Sequence, residues 1–199
     1  MNSNPDDREI SGAGPGRAAL SRRRWLVRAA AGLLAGARAV WGADSATVLE
    51  YAAKASYLFH FLKYIEWPAD ALPSDELVIR VGVLGDERFV RALEPVNGKL
   101  VKGRKVMVKQ ATHLAELTSC QLVFISESEK DQIDEILNLL RGTRTVTVSE
   151  VKGFAESGGI INFIEERNKV RFQINPEAAR RCGVTISSDL LKLAKIIRA

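Results

Sequence analysis

The chain has 199 residues, 46% of them hydrophobic and 27% charged, a globular balance that excludes wholesale disorder. It holds two cysteines, too few for a disulfide-built scaffold or a four-cysteine zinc site. No apolar run reaches the roughly 18 residues that a transmembrane helix needs. The net charge of +5 arises mainly in residues 1–43, where seven arginines face three acidic residues. The remainder is nearly neutral, which argues against a nucleic-acid-binding domain with a basic face.

Residues 1–43 have the layout of an export signal. The basic segment at 21–27, S-R-R-R-W-L-V, precedes a short, weakly apolar stretch at 29–37, and small residues follow it. The basic segment resembles a twin-arginine signal, S-R-R-x-F-L-K, with Trp and Val in place of Phe and Lys. We predict cleavage near residues 42–46 and a mature protein in a bacterial periplasm. A basic, disordered N-terminal arm is the alternative interpretation.

The rest of the chain predicts alternating helices and strands. Apolar residues at helical spacing from 46 to 66 predict one long helix that Pro68 stops. Strands are expected at 77–84, 105–109, 121–126, 145–148, 160–164 and 170–174, and helices at 86–93, 129–141, 176–181 and 188–197. The last two strands are joined by a short polar connection, which predicts an antiparallel hairpin. The pattern therefore predicts an α/β fold: a single three-layer α/β/α domain over residues 44–199, with a mostly parallel sheet and an antiparallel edge hairpin.

The sequence contains no recognisable arrangement of catalytic residues. Gly85 follows the first strand, but the sequence contains no G-x-G-x-x-G, G-K-[ST] or G-x-S-x-G motif. His60, in the first helix, and His113, in a polar connection, are expected to be exposed or partly buried. No acidic pair has a spacing that requires a metal. We therefore expect no catalytic residue, no metal and no cofactor, and a protein that is not an enzyme.

The two cysteines leave two interpretations open. Cys120 directly precedes a predicted buried strand, and Cys182 ends a short predicted helix. Both could be small buried side chains, or they could pair in a disulfide, which a periplasmic location would allow.

Five aromatic residues crowd the end of the first predicted helix: Tyr57, Phe59, Phe61, Tyr64 and Trp67. One helix stripe cannot hold them all. They form either core plus a cap, or an exposed apolar patch that binds another protein.

Ordered motifs run through the body of the chain: AKASY at 53–57, FLKYIEWP at 61–68, VGVLG at 81–85, NGKLVKGR at 97–104, CQLVFI at 120–125, TVTVS at 145–149, GFA at 153–155, GGIINF at 158–163, VRFQIN at 170–175, ISS at 186–188 and LLKLA at 190–194. In identity and order these motifs resemble the YfiR/HmsC-like family of periplasmic regulatory proteins. The resemblance covers residues 48–198.

The resemblance implies regulation rather than catalysis. Proteins of this family are exported, dimeric and α/β, and the best-understood members hold the periplasmic sensor part of an inner-membrane diguanylate cyclase inactive. Release under the control of an outer-membrane lipoprotein raises cyclic-di-GMP and promotes biofilm. Family members often carry further cysteines in intrachain disulfides. Here Cys120 matches a common cysteine position, but the first strand has Val83 and Leu84 where a partner would stand, and Cys182 is not at an expected position.

The predicted contact surface for the cyclase combines the aromatic region with the edge hairpin. Its residues are Tyr64, Trp67, Pro68, Phe163 and Gln173. A periplasmic small-molecule-binding module is the rival interpretation, with a ligand crevice at the strand ends near Gly85 and Ser126.

Overall fold

The computed structural model describes residues 45–198, beginning with helix α1 at 45–64. The predicted export signal at 1–43 lies outside the described residues. Helix α1 ends two residues earlier than the sequence predicts, because Ile65–Glu66 form a short strand, β1. This strand pairs antiparallel with β9, Thr185–Ile186. The end of α1 is thereby attached to a segment about 120 positions later in the chain, before Pro68 is reached.

The main sheet has eight strands: β2 (Val78–Leu84), β3 (Leu100–Val101), β4 (Arg104–Ala111), β5 (Leu122–Ile125), β6 (Val146–Ser149), β7 (Ile161–Glu166), β8 (Lys169–Ile174) and β10 (Lys195–Ile196). The order across the sheet is β10-β8-β7-β6-β5-β2-β4-β3. Strands β4, β2, β5, β6 and β7 run parallel, and β7 and β8 form the antiparallel hairpin. The predicted α/β fold, with a mostly parallel sheet and an antiparallel hairpin near one edge, is confirmed.

Beyond the hairpin the sheet gains one strand that the sequence does not predict. The predicted final helix at 188–197 ends early, as α5 at Ser188–Leu193. The chain then extends as β10, which pairs in parallel with Gln173 and Ile174 of β8. The hairpin therefore lies one strand inside the edge.

Short helices connect the strands: α2 (Glu87–Leu93), α3 (Ile133–Leu139) and α4 (Pro176–Cys182), with 3-10 turns at Leu114–Ser119 and Glu127–Gln132. The predicted helix at 129–141 is thus α-helical only from Ile133. Asn175 caps α4, since its Oδ1 accepts from the Ala178 N–H at 2.9 Å. Gly183 ends α4 in the left-handed conformation, with φ 79°.

The buried apolar side chains form two clusters, one on each face of the sheet. Helices cover both clusters, so the fold has three layers. The larger cluster contains buried residues of α1, α2, α4 and α5 together with strand side chains such as Phe124 and Val148. The smaller cluster joins α3 and the first 3-10 turn to strand side chains such as Val123 and Ile125. Adjacent β5 residues therefore point into different clusters, as the period of two of a strand requires.

Asp86, the N-cap of α2, gives the fold a pH-dependent contact. The Arg88 guanidinium beside it lowers the pKa of the Asp86 carboxyl to about 2, and the Tyr51 hydroxyl donates to Oδ2 at 2.9 Å. Because this pKa lies below the ordinary value of about 3.9, the stabilisation is complete above that value and is lost as the pH falls towards 2. We expect Asp86→Asn to reduce the fall in unfolding free energy between pH 5 and pH 2, measured by urea titration. Asp134→Asn, an exposed substitution on α3, is the control. Identical pH profiles of unfolding free energy for the wild-type protein and the two variants would contradict the assignment.

Candidate partner-binding surface

The candidate surface is built where α1 ends. Tyr64 is the last residue of α1 and its side chain is 40% exposed. The carbonyl of Tyr64 accepts from the Ser187 N–H at 3.0 Å, and β1 follows immediately with its pairing to β9. Trp67 and Pro68 come next and are each partly exposed. Main-chain hydrogen bonds therefore hold Tyr64 and the residues after it in one position at the protein surface.

Trp67 is oriented by a buried glutamine. Its indole Nε1–H donates to the carbonyl of Gln121 at 3.2 Å. The Gln121 side chain in turn donates to the carbonyl of Ala71 at 3.2 Å and accepts from the Arg80 N–H at 2.8 Å. Gln121 thus ties the loop after α1 to the start of the sheet. The sequence motif CQLVFI contains this glutamine but gives no sign of its role, because its partners are 41 to 54 positions away.

A cavity of about 410 Å³ opens beside Trp67. Apolar side chains form most of its wall: Leu62, Ile65, Leu72 and Ile79. Two cations, Lys102 and Arg104, also line it, together with Glu66. Lys102 donates to the Ile65 carbonyl at 2.9 Å, and Arg104 donates to the carbonyls of three residues in the loop before β2.

The two cations give this cavity a positive rim. Within residues 45–198, neither Lys102 nor Arg104 makes an ion pair with an acidic side chain, since their hydrogen bonds go to backbone carbonyls. An apolar cavity with net positive charge suits an apolar side chain that is followed by an acidic one. The sequence pattern assigns no role to either cation.

Of the five aromatic residues near the end of α1, some pack in the core and others lie at the surface. Phe61 is fully buried, and Tyr57 is half-buried with its ring 5.4 Å from that of Phe172. Phe59 is also half-buried, with the Lys63 and Lys99 ammonium groups 4.3 and 5.0 Å from its ring centre. These three serve packing. Tyr64 and Trp67 are the members that contribute surface at the end of α1.

Phe163 and Gln173 do not join this surface. Phe163 is 3% exposed, and its ring lies 5.7 Å from that of Phe61 in the core under α1. Gln173 is 6% exposed and lies on β8, between β7 and β10 in the sheet. A hairpin at the edge of the sheet would have left both side chains exposed. In the structure β10 extends the sheet and Phe163 packs under α1. Tyr64, Trp67 and Pro68 are therefore the predicted residues that can contact a partner directly.

Both cysteines are free thiols in the structure, Cys120 buried and Cys182 half-buried. Cys120 is buried beneath β2, where a Cβ on Gly82 would lie 3.0 Å from its sulfur. The Cys182 sulfur contacts the carbonyls of Thr143 and Thr145 at 3.6 and 3.3 Å. Burial raises the pKa of both thiols, that of Cys182 to about 11.

The strand ends that the rival interpretation assigned to a ligand are closed. The Asp86 N–H donates to the Ser126 hydroxyl at 2.9 Å. A Cβ on Gly85 would lie 2.5 Å from the Ser128 hydroxyl and 2.8 Å from the Ser126 Cβ. Gly85, with φ 99°, is therefore required for close packing of this turn against the residues that follow β5.

A larger cavity, about 850 Å³, lies instead between α1 and the β7–β8 hairpin. Its wall combines the rings of Tyr57 and Phe163 with the charged groups of Glu50, Lys54 and Glu150. Lys54 is 5% exposed and already pairs with both carboxylates, that of Glu150 at 2.5 Å.

Membrane-spanning and metal-binding features do not enter this surface. In the part of the chain from 45 to 198, no helix combines the length and the apolar character needed to cross a membrane. The same residues contain no group of three histidine, cysteine, aspartate or glutamate side chains that could hold a metal ion.

The sequence profile of the YfiR/HmsC-like family matches residues 51–195, from the buried Tyr51 of α1 to the start of β10. The chain belongs to this family. YfiR/HmsC-like proteins are periplasmic regulators of diguanylate cyclase signalling, and their role is regulatory rather than catalytic.

Two solved structures resemble this YfiR/HmsC-like chain. One is the ABC domain from Streptococcus pneumonia in complex with L-Trp, 13% identical over 65% of this chain and 58% of that one. The other is a conserved domain protein from Vibrio cholerae, 16% identical over 64% of this chain and 56% of that one. Both have a TM-score of 0.44, and the match spans less than two thirds of either chain.

Proposed function

We propose that this YfiR/HmsC-like protein is exported by its residues 1–43 and represses an inner-membrane diguanylate cyclase by binding that enzyme's periplasmic sensor part. Repression lowers cyclic-di-GMP and biofilm formation. Family membership supports the regulatory role. The surface at the end of α1 supports a protein partner, because it places exposed aromatic groups on a fixed backbone beside a cation-lined apolar cavity.

The composition of this surface suggests the chemistry of the partner segment. Partner-binding hot spots are enriched in aromatic residues that project from a rigid frame into a desolvated contact. Tyr64 and Trp67 meet that description, and Pro68 stiffens the chain that follows them. Lys102 and Arg104 favour acidic groups next to the apolar anchor. The proposed partner segment is therefore apolar with flanking Asp or Glu.

Binding can inhibit across a membrane only through a difference in affinity. The protein must bind the inactive arrangement of the cyclase's sensor part more tightly than the active one, and the ratio of the two affinities sets the degree of repression. A fixed surface serves this better than a mobile one, since less ordering entropy is lost on binding. Phe163 and Gln173 contribute from the interior of the protein rather than by contacting the partner. Phe163 supports α1 through its contact with Phe61.

Two further elements complete the proposal. The protein works as a homodimer, as the resemblance to the family implies. An outer-membrane lipoprotein releases the cyclase by competing for the repressor.

Tyr64→Ala tests the contact surface with little risk to the fold, because the side chain is 40% exposed. We expect the variant to bind the cyclase's periplasmic segment about 30-fold more weakly, the effect of removing a hot-spot side chain worth about 2 kcal/mol. Cellular cyclic-di-GMP should rise towards the level of a strain that lacks the gene. Calorimetry of binding and mass spectrometry of the nucleotide measure the two effects.

Leu139→Ala is the matched control. Leu139 is 39% exposed, so the two changes remove similar exposed apolar surface, but Leu139 lies on α3 rather than at the end of α1. It should bind and repress as the wild-type protein does. If Tyr64→Ala repressed fully, or if both variants lost repression equally, the assignment of the surface would be wrong.

A small-molecule-binding module is the second candidate, and the cavity between α1 and the hairpin favours it. That cavity offers two aromatic rings and groups of both charge signs, which suits a small zwitterion. Saturable binding of a zwitterionic ligand, abolished by filling the cavity through Ala53→Phe and independent of Tyr64, would support this candidate.

A further inference from the structure

A third cavity, about 400 Å³, lies between the end of α3, the start of β6 and helix α4. It shares no lining residue with the cavity beside Trp67. Apolar side chains form one part of its wall: Leu137, Leu140, Ile160 and Ala178. Hydroxyl groups and two guanidinium groups, those of Arg141 and Arg181, form the rest. Within the described chain, no acidic side chain lines this cavity.

The two arginines are weakly compensated. Arg141 donates to the neutral amide oxygen of Asn138 at 3.0 Å and makes no ion pair among residues 45–198. Arg181 lies 3.8 Å from Glu177, a carboxylate that contacts Arg180 much more closely, at 2.5 Å. The cavity therefore keeps net positive charge.

Buried hydroxyl groups add donors without adding negative charge. Thr147 is 4% exposed, and its Oγ1 accepts from the Ile160 N–H at 3.1 Å, which leaves the hydroxyl hydrogen to donate into the cavity. Ser157 also lines the cavity, and its side chain is exposed. Cys182 also lines the wall, and its raised pKa of about 11 keeps it a neutral thiol at pH 7.

We propose that this cavity binds a small organic oxyanion, a carboxylate or phosphonate with an apolar body. Arg141 and Arg181 would pair with the oxyanion, the Thr147 hydroxyl would donate to it, and the leucine and isoleucine side chains would cover the apolar body. The shared chemistry is a charged oxygen head on an apolar molecule of limited size. A neutral analogue would leave both guanidinium groups without a partner.

Calorimetry on the full-length chain with phenylphosphonate tests the proposal, with benzyl alcohol as the neutral analogue. We expect saturable binding of phenylphosphonate and none of benzyl alcohol. Arg181→Gln should weaken binding at least about tenfold, the loss expected for one charge-assisted hydrogen bond. Arg91→Gln is the matched control, because Arg91 is an exposed arginine of α2 that does not line the cavity, and it should leave binding unchanged.

Thr147→Val provides a second variant of nearly the same shape, which removes the hydroxyl donor without opening space. It should weaken phenylphosphonate binding severalfold, with amide NMR shifts on ligand addition centred on Gly158 and Ile160. Absence of saturable binding up to about 10 mM would overturn the proposal. So would equal loss in Arg91→Gln and Arg181→Gln, since that result indicates general charge attraction rather than this cavity.

Discussion

Gly159→Ala is expected to destabilise the protein by about 3 kcal/mol, at the upper end of the usual cost of overpacking a core. A Cβ at this position would lie 2.1 Å from Cε1 and 2.3 Å from Cδ1 of the Phe154 ring. That ring is 1% exposed and packed in the smaller core cluster, so it has no free space to move into. We expect a fall in melting temperature of about 10 °C.

Two variants distinguish the steric clash from other effects of losing a glycine. Gly98→Ala should cost about 1 kcal/mol, because its φ of 78° is strained for alanine but nothing lies within 4 Å of the new Cβ. Phe154→Leu shortens the opposing side chain, and adding it to Gly159→Ala should recover part of the loss. Additive effects of Gly159→Ala and Phe154→Leu in thermal unfolding would contradict the proposed contact.

Lys54→Met is expected to cost about 3 kcal/mol, because it leaves a largely buried carboxylate without its cation. Lys54 is 5% exposed, and its ammonium lies 2.5 Å from the Glu150 carboxylate, whose other oxygen accepts from the Glu127 N–H at 3.2 Å. This pair holds the first half of α1 against the end of β6. Loss of the pair should therefore also loosen α1, which carries Tyr64 at its other end.

A double variant separates the unpaired charge from the loss of the attraction itself. Glu150→Gln removes the negative charge, so Lys54→Met with Glu150→Gln should be clearly more stable than Lys54→Met alone in urea titrations. Lys192→Met is the control, since its pair with Asp189 is 73% exposed on both sides and should contribute under about 1 kcal/mol. Equal stability of Lys54→Met and Lys192→Met would show that the buried pair contributes nothing.

Local patterns account for most of the fold, and two of the departures, β1 and β10, arise from contacts between distant segments. The runs of β-branched residues predict β2, β5 and β6, and Asn175 with Gly183 marks both ends of α4. Residues 65–66 also continue the apolar spacing of α1. Only pairing with Thr185–Ile186, far along the chain, makes them a strand. Residues 195–196 become a strand through pairing with β8 in the same way.

The candidate surface was predictable only in part, for the same physical reason. The sequence shows that one helix stripe cannot bury all five aromatic residues, and Tyr64 and Trp67 do lie at the surface. It does not show which face of β7 is covered, so Phe163 was expected at the surface and lies in the core. Lys102 and Arg104 line the cavity beside Trp67 because the fold places the β3–β4 turn next to the end of α1. No local sequence pattern indicates this contact.

Capture of the cyclase is the most direct test of repression by direct binding. The protein, tagged at its C-terminus and exported in its own host, is purified from detergent-solubilised inner membranes beside its Tyr64→Ala variant, and bound proteins are quantified by mass spectrometry. We expect recovery of a membrane diguanylate cyclase with a periplasmic sensor segment, and clearly less of it with the variant. Recovery of no such cyclase by folded, exported protein would contradict repression by direct binding.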